Sequence, residues 1–253
     1  MSTSEHLEVA LRAARAAEAV IRHYYQRNLR IRLKADRTPV TVADVEAERA
    51  IKQELAAAFP DHGFHGEEGG RENSDAEHVW LIDPIDGTKS FVRQSPFFST
   101  QIALRRRGEF VLGVSNAPLF GELAWAERGR GAWLNDTRLA VSGIDDLAEA
   151  TVSFGNIKSL VRDNGAGFAR LVAGCNRLRG YGDFCHGHLL ASGRIDVVVE
   201  SEVSILDVAA LGVIIEEAGG RVGDLAGRPL DLDSTSFLAS NGHLHETVRA
   251  LLG

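Results

Sequence analysis

A short apolar run that ends in two carboxylates places the strongest constraint on how this chain can fold. Val79 to Ile82 are all apolar, and the run predicts a short buried strand. Asp83 and Asp86 follow it and flank Pro84, which has no N–H to give to a sheet and has a fixed φ. We therefore expect the strand to end here and to present both carboxylates from a stiff turn, where functional side chains are common.

The residues after this turn point to a bound anion. Gly87-Thr88 can aim successive backbone N–H groups at one place, an arrangement suited to phosphate. Two carboxylates would repel a phosphate unless cations lay between them. Mg²⁺ binds carboxylate and phosphate oxygens together, so the stretch predicts a metal-bridged phosphate site. The alternative is a capped turn in which Asp83 and Asp86 only accept hydrogen bonds from the backbone.

Composition and charge exclude several classes of protein. The net charge of -7 argues against a nucleic-acid-binding groove, and no run approaches the ~20 apolar residues that a membrane span needs. Met1 to Glu8 lack the basic and apolar segments of a leader, so a cytoplasmic location is expected. Two cysteines, Cys175 and Cys185, are too few for a disulfide scaffold or a thiolate metal site.

The patterning changes near Gly143. Before it, helices are predicted from residue 4, capped by Ser4, and from a capping box at Thr41 to Asp44. An antiparallel meander is predicted at residues 98–104, 110–115 and 123–126. After Gly143, strands (151–154, 195–199, 237–239) alternate with helices (183–191, 204–218, 244–252). Ser192-Gly193 ends the first of these helices, and a capping box at Ser204 to Asp207 begins the second. We therefore expect an N-terminal α+β half, residues 1–143, and a C-terminal α/β half, residues 144–253.

Acidic residues lie at four predicted element ends, and their motifs resemble one family. Taken singly, each acid would be a cap or a solvated charge. Taken in order, the motifs resemble the inositol monophosphatase superfamily of Mg²⁺-dependent, lithium-sensitive phosphomonoesterases. The stretches that carry the resemblance are Thr38-Pro39-Val40-Thr41-x-Ala43-Asp44, Gly66-Glu67-Glu68, Asp83-Pro84-Ile85-Asp86-Gly87-Thr88, and Leu206-Asp207-Val208-Ala209-Ala210 followed by Glu217-Ala218-Gly219-Gly220.

The resemblance implies a fold, a cofactor and a set of site residues. The fold is of the α/β (α+β) class, a layered α/β/α/β/α sandwich of the inositol monophosphatase and fructose-1,6-bisphosphatase type. A homodimer is common in the family. Glu67, Asp83 and Thr88 would act in catalysis, with the Thr88 hydroxyl helping to orient the attacking water. Gly87 and Thr88 would bind the phosphate. Two or three Mg²⁺ ions would be held by Glu67, Asp83, the Ile85 carbonyl, Asp86 and Asp207, with Asp44 at a weaker metal position.

A second resemblance concerns the substrate. The stretch from Arg179 to Asp183 and Phe184 is similar to the histidinol-phosphate phosphatase branch, which implies hydrolysis of L-histidinol phosphate in histidine biosynthesis. Asp183 would pair with the ammonium or imidazole of that substrate, or would only cap a helix. Glu200 matches a position that contacts the part of the substrate beyond the phosphate, and it suits a cation or a polyol. Arg179 is the third predicted substrate-binding residue.

Other functions stay open at this point. The chain could be an inositol-1-phosphate or broad sugar-phosphate monophosphatase. A 3′-phosphoadenosine nucleotide phosphatase is less expected, because no additional basic cluster is present for a second phosphate. A non-catalytic metal- or phosphate-binding protein is a further alternative, as is zinc binding through His62, His65, His186 and His188. In every enzymatic alternative the partner is a small phosphate monoester, without nucleic acid or membrane.

Overall fold

The computed structural model describes residues 3–27, 32–33 and 39–253. Thr38, which belongs to one of the motifs above, lies outside these residues. Two short strands, β1 (Arg32–Leu33) and β2 (Pro39–Val40), form an antiparallel ribbon. None of the described helices combines the length and the apolar character that crossing a membrane would require.

Two N-terminal helices begin with the caps that the sequence predicts. α1 (Glu5–Tyr24) follows Ser4, whose hydroxyl accepts a hydrogen bond from the first turn. α2 (Val42–Ala58) begins with a capping box, in which the Thr41 hydroxyl accepts from the first turn and the Thr41 N–H donates to Asp44. The two helices pack against each other and against one face of the first sheet.

The first sheet contains the predicted meander. Its strands are β3 (Gly63–Gly66), β4 (Gly70–Glu72), β5 (His78–Asp86), β6 (Ser99–Arg106), β7 (Glu109–Ala117), β8 (Glu122–Glu127), β9 (Ala132–Leu134) and β10 (Thr137–Arg138). They lie in the order β10-β9-β8-β7-β6-β5-β3-β4. β3 and β5 are parallel, whereas the other neighbours are antiparallel. A short helix, α3 (Thr88–Val92), connects β5 to β6.

The predicted end of the strand before Pro84 is wrong. β5 continues through the proline to Asp86, and its pairing with β6 shifts register between Asp83 and Asp86. Such a bulge leaves ladder positions unpaired, so the missing N–H of Pro84 costs no sheet hydrogen bond. The Pro84 carbonyl instead accepts from Thr100 Oγ1 at 2.8 Å. The carboxylates are therefore presented from a bulged strand and not from a turn beyond it.

The second sheet is built after residue 150. In chain order the elements are a 3₁₀ turn (Leu147–Glu149), β11 (Thr151–Phe154), α4 (Ile157–Gly174), β12 (Arg177–Arg179), α5 (Asp183–Ala191), β13 (Val197–Ser201), α6 (Ile205–Glu217), β14 (Arg221–Gly223), β15 (Ser236–Ser240) and α7 (His245–Leu252). The strand order is β12-β11-β13-β15-β14. β11 is parallel to β12 and β13, and β15 is antiparallel to its neighbours.

α4 and β12 were not predicted from the sequence. Asn164, Gly165 and Gly167 interrupt the helical pattern of α4, and Asn164 departs from helical geometry with φ -143° and ψ 30°. The helix is stabilised by packing, since its Phe168 and Leu171 are buried against the second sheet and α7. Tertiary contacts here outweigh weak local propensity.

Alternating side chains of each sheet pack into different layers. Trp80 faces α1 and α2, whereas Val79 faces α6. In the second sheet, Val198 faces the same middle helices, whereas Val197 faces α4 and α7. The layers are therefore α1–α2, first sheet, α5–α6, second sheet and α4–α7, which confirms the predicted α/β/α/β/α fold. Because one core joins both sheets through α6, the division at residue 143 stays a prediction.

Candidate active site

The bulge in β5 holds two buried carboxylates. Asp83 is 3% exposed and accepts a hydrogen bond at Oδ1 from the Ile85 N–H at 2.9 Å. Asp86 is 7% exposed and accepts at Oδ2 from Ser99 Oγ at 3.3 Å. Carboxylates buried to this extent are rare unless they are paired or bind metal.

A third carboxylate reaches them from the other half of the chain. Asp207 lies in the first turn of α6, where Oδ2 accepts from the Ser204 N–H at 2.9 Å in the predicted capping box. One oxygen from each of Asp83, Asp86 and Asp207 lies within 4.8 Å of the other two. Gly113 on β7 allows this approach, because a Cβ there would lie 2.3 Å from the Ala210 carbonyl oxygen of α6.

Asp44 and Thr88 meet beside this group. Asp44 is fully buried in the first turn of α2. The Thr88 hydroxyl lies 3.2 Å from Asp44 Oδ1 and 3.0 Å from the Ile85 carbonyl oxygen, and it can donate its one proton to either acceptor. Asp44 of α2, Thr88 of α3 and Ile85 of the bulge thus form one wall of the site.

Glu67 lies in the turn after β3 and is exposed. Its N–H donates to the Ile82 carbonyl oxygen at 3.1 Å, which fixes the turn against β5. Burial is the main cause that raises the pKa of Asp44, Asp83 and Asp207, and the charge of Glu67 raises each of them further, so Glu67 lies within electrostatic range of all three. The acidic residues predicted from Asp44 to Asp207 are thus neighbours in space.

This concentration of negative charge is the dominant electrostatic feature of the site. Burial and the neighbouring carboxylates raise the pKa of Asp83 and of Asp86 well above the usual range. Burial also raises the pKa of Asp207 to about 7. Either protons or cations must offset the repulsion. A donor set of carboxylate oxygens beside a carbonyl oxygen fits a hard divalent ion, and the three aspartates are the group that geometry singles out among the described residues.

Gly87 opens the backbone beside this charge. Its φ is 88°, in the left-handed region, and a Cβ would lie 2.7 Å from the Phe97 carbonyl oxygen. Both constraints require glycine. Thr88 follows as the first residue of α3, so its N–H has no acceptor within that helix. The backbone geometry is compatible with the predicted anion contact.

Asp183 is not a helix N-cap, which contradicts one of the two interpretations of this residue. Gly182 occupies the N-cap position of α5, and Asp183 is the first helical residue with a left-handed φ of 47°. A non-glycine residue in this region stores backbone strain. Burial, followed by the charge of Glu200, raises the pKa of Asp183. Among the described hydrogen bonds, none joins the Asp183 carboxylate to the helix backbone.

Glu200 completes an acidic wall next to Asp86. It is 7% exposed on β13, and its Oε2 lies 3.0 Å from His186 Nε2. The carboxylate packs on Gly155, where a Cβ would lie 1.8 Å from Oε1. Burial, followed by the charges of Asp183, Asp207 and Glu200, raises the pKa of Asp86, so both carboxylates of the wall act electrostatically on the three-aspartate group.

Arg179 lies apart from these acids. It is exposed on β12, and its Nη1 donates to the Leu178 carbonyl oxygen at 2.7 Å. Among the described contacts, no hydrogen bond or ion pair joins Arg179 to Asp183 or Glu200. Its role in substrate binding stays a prediction.

Two basic neighbours of the acidic wall were not predicted from the sequence. His186 Nε2 contacts Glu200, and His186 and Lys89 limit the rise that burial and Glu200 cause in the pKa of Asp183. The spacing of Asp183 and His186, three residues apart on one helix, was the available signal. No sequence signal predicts the contact between His186 and Glu200, because α5 and β13 carry these residues at positions that are not close in sequence.

The four histidines of the zinc alternative do not converge in the described residues. His62 accepts from Trp80 Nε1 at 3.0 Å and stacks between aromatic rings. His188 is paired with Glu122, and His186 with Glu200. None of them joins a group of side chains placed to share a metal. The geometry gives the zinc alternative no support.

Comparison with known proteins assigns the family. The Inositol monophosphatase family model matches residues 2–252. A histidinol-phosphatase of Chlorobaculum parvum is 39% identical over 98% of this chain and 96% of its own length. An inositol-1-monophosphatase of Rhizobium meliloti is 35% identical over 100% of this chain and 97% of its own. The extragenic suppressor protein suhB of Bartonella henselae superposes with a TM-score of 0.91 at 31% identity, covering 98% of both chains.

Members of this family are metal-dependent, as the acidic group would require. The chain therefore belongs to the inositol monophosphatase family and is a phosphoric monoester hydrolase.

Proposed function

We propose that this phosphatase hydrolyses L-histidinol phosphate to L-histidinol and phosphate in the presence of Mg²⁺. The observation that carries the proposal is the acidic wall of Asp183 and Glu200 beside Asp86. The similarity to a histidinol-phosphatase supports it. The similarity to an inositol-1-monophosphatase keeps inositol-1-phosphate as the second candidate substrate.

The site divides into a metal-binding part and a substrate-binding part. In the metal-binding part, Glu67, Asp83, Asp86, Asp207 and the Ile85 carbonyl would hold two or three Mg²⁺ ions, with the weaker position at Asp44. When bound, Mg²⁺ would lower the pKa of a coordinated water and offset the charge that develops on the phosphoryl group.

The protein's own groups would orient the phosphate and the attacking water. Because the Thr88 proton is directed to Asp44 or to the Ile85 carbonyl, the lone pairs of its hydroxyl are left to accept a hydrogen bond from water. The N–H groups of Gly87 and Thr88 would hold the phosphate. A cysteine nucleophile is not required. Burial raises the pKa of Cys185 to about 11, which keeps that thiol protonated and unreactive.

The acidic wall favours a cationic substrate over a neutral one. Histidinol carries an ammonium group, which can pair with a carboxylate that the protein leaves partly desolvated. An inositol hydroxyl can donate a hydrogen bond to the same carboxylate but offers no charge. His186 already contacts Glu200, so Asp183 is the carboxylate that we expect to discriminate between the two substrates.

A panel of phosphate esters tests the proposal. We expect kcat/KM for L-histidinol phosphate to exceed that for inositol-1-phosphate and for 3′-phosphoadenosine nucleotides, with no phosphate release in EDTA. Equal or faster turnover of inositol-1-phosphate would reject the substrate assignment. Phosphate release that persists in EDTA would reject the metal-dependent mechanism. The homodimer, the cytoplasmic location and the absence of nucleic-acid partners stay predictions, and light scattering after size-exclusion chromatography measures the first.

A further inference from the structure

A chain of buried polar side chains connects Asp86 on β5 to the first residue of β8. Ser99 and Gln101 on β6 and Ser115 on β7 are all fully buried, and Gln101 and Ser115 are direct partners across the two strands. These positions lie on the sheet face that α5 and α6 cover. Polar residues in this row replace the apolar side chains that otherwise fill the middle layer, and neither the fold nor the chemistry above explains them.

Every link of the chain has hydrogen-bond geometry. Ser99 Oγ donates to Asp86 Oδ2 at 3.3 Å. Gln101 Nε2 donates to Ser99 Oγ at 2.8 Å and to Ser115 Oγ at 3.0 Å. Ser115 Oγ lies 2.9 Å from Nε2 of His188, which is 3% exposed on α5. The chain ends where His188 Nδ1 lies 2.8 Å from Oε2 of half-buried Glu122.

The directions of these bonds are linked, because each hydroxyl has a single proton. With its amide donating to both serines, Gln101 leaves the proton of Ser99 for Asp86 and that of Ser115 for His188. His188 Nε2 must then accept, so a ring with a single proton carries it on Nδ1 and donates it to Glu122. A His188 ring that donates from Nδ1 to Glu122 is therefore consistent with the hydrogen bond from Ser99 to Asp86 at the other end of the chain of side chains.

The opposite arrangement removes that hydrogen bond. If the ring proton lay on Nε2, His188 would donate to Ser115, and the Ser115 proton would turn to Gln101. The amide would then present its oxygen to both serines, and Ser99 would donate to Gln101 instead of Asp86. In the first arrangement Gln101 donates in both directions and its Oε1 has no hydrogen-bond partner, so the chain orients groups but does not conduct protons.

We infer that His188 and Glu122 are positioning residues for the metal-binding carboxylate Asp86. By fixing the tautomer, they keep the Ser99 donor on Asp86 Oδ2 and so hold the orientation in which that carboxylate would bind Mg²⁺. The inference rests on the proposed function, in which Asp86 is a metal ligand. Hydrogen-bonded partners of metal ligands typically change metal affinity by about 10–100-fold when they are removed.

The test measures Mg²⁺ binding by calorimetry without substrate. Ser115→Ala breaks the chain in its middle, and we expect about 10-fold weaker binding. Glu122→Gln keeps the side-chain volume but can donate to Nδ1, so it releases the tautomer, and we expect a smaller loss of the same sign. Ser240→Ala is the matched control, because it removes a buried serine from another serine–histidine pair, with His245. This control should bind Mg²⁺ as the wild type does.

A spectroscopic measurement separates positioning from a general loss of stability. Long-range ¹H–¹⁵N NMR of the wild type should show the His188 ring protonated at Nδ1, and Glu122→Gln should move this proton toward Nε2. Wild-type affinity in both Ser115→Ala and Glu122→Gln would overturn the inference, as would a wild-type ring protonated at Nε2. Equal weakening in Ser240→Ala would also overturn it. A wild type that binds no Mg²⁺ would instead reject the proposed function itself.

Discussion

We expect Asp83→Asn to abolish activity and, at the same time, to make the metal-free protein more stable. An Asp83 oxygen lies within 4.8 Å of an oxygen in Asp86 and in Asp207. Two full charges at that distance repel each other by about 3 kcal/mol at an effective dielectric constant of ~20. Asp83 takes part in two such pairs, and the asparagine removes both.

The net gain is smaller than this repulsion, because protons already relieve part of it. The folded-state pKa of Asp83 lies well above its ordinary value of 3.8, so ionisation of Asp83 destabilises the fold increasingly as pH rises above that value. The asparagine oxygen can still accept from the Ile85 N–H, so the bulge is retained. We expect a gain of about 1–3 kcal/mol at alkaline pH, or about 2–6 °C in melting temperature for a chain of this size.

Thermal unfolding followed by circular dichroism, in EDTA and in MgCl₂, measures both effects. The wild type should gain stability on adding Mg²⁺, whereas Asp83→Asn should gain little and release no phosphate. Asp75→Asn, which neutralises an exposed carboxylate, is the matched control and should melt as the wild type does in both buffers. If Asp83→Asn in EDTA melted at or below the wild-type temperature at alkaline pH, the account of the acidic group would be wrong.

Three further changes have defined outcomes. Asp183→Asn should reduce the preference for L-histidinol phosphate over inositol-1-phosphate by about 10–100-fold in kcat/KM, because one charge-assisted hydrogen bond is lost; an unchanged ratio would make Asp183 purely structural. Gly113→Ala should cost about 1–3 kcal/mol in urea unfolding, since its Cβ would lie 2.3 Å from the Ala210 oxygen; wild-type stability would contradict the close approach. Burial lowers the pKa of His245 to about 4, so stability should fall by up to about 3 kcal/mol as pH drops from 6.5 toward that value; His245→Gln should flatten this dependence, and an identical pH profile would refute it.

Features with a local cause could be predicted from the sequence. Asp44 and Asp207 were identified twice over, as capping-box residues and as acids of a family motif, and both roles are compatible in one geometry. The ends of α5 were predicted at the observed residues because Ser192-Gly193 stops the pattern. In each case the residues that decide the structure are within about four positions of one another.

Features that depend on distant neighbours could not be predicted. From the sequence alone, Pro84 indicates the end of a strand. The bulge that accommodates it depends on the pairing of β5 with β6. The left-handed conformation of Asp183 has no signature in its flanking residues. Ser115 and His188 are 73 residues apart, and their contact requires α5 to pack on the first sheet. Pairwise geometry of this kind follows from tertiary packing and not from periodicity.

The shared middle layer has a consequence for how the chain is made. The face of the first sheet that carries Val79 and Leu81 is covered by α6, which begins only at Ile205. When a nascent chain has left the ribosome as far as residue 143, all strands of the first sheet are present, but one apolar face of that sheet is uncovered. Exposed apolar surface of this kind promotes self-association. We expect the isolated fragment 1–143 to elute as aggregates in size-exclusion chromatography, and a monodisperse folded fragment would argue otherwise. During synthesis, this face would stay uncovered until α6 had emerged.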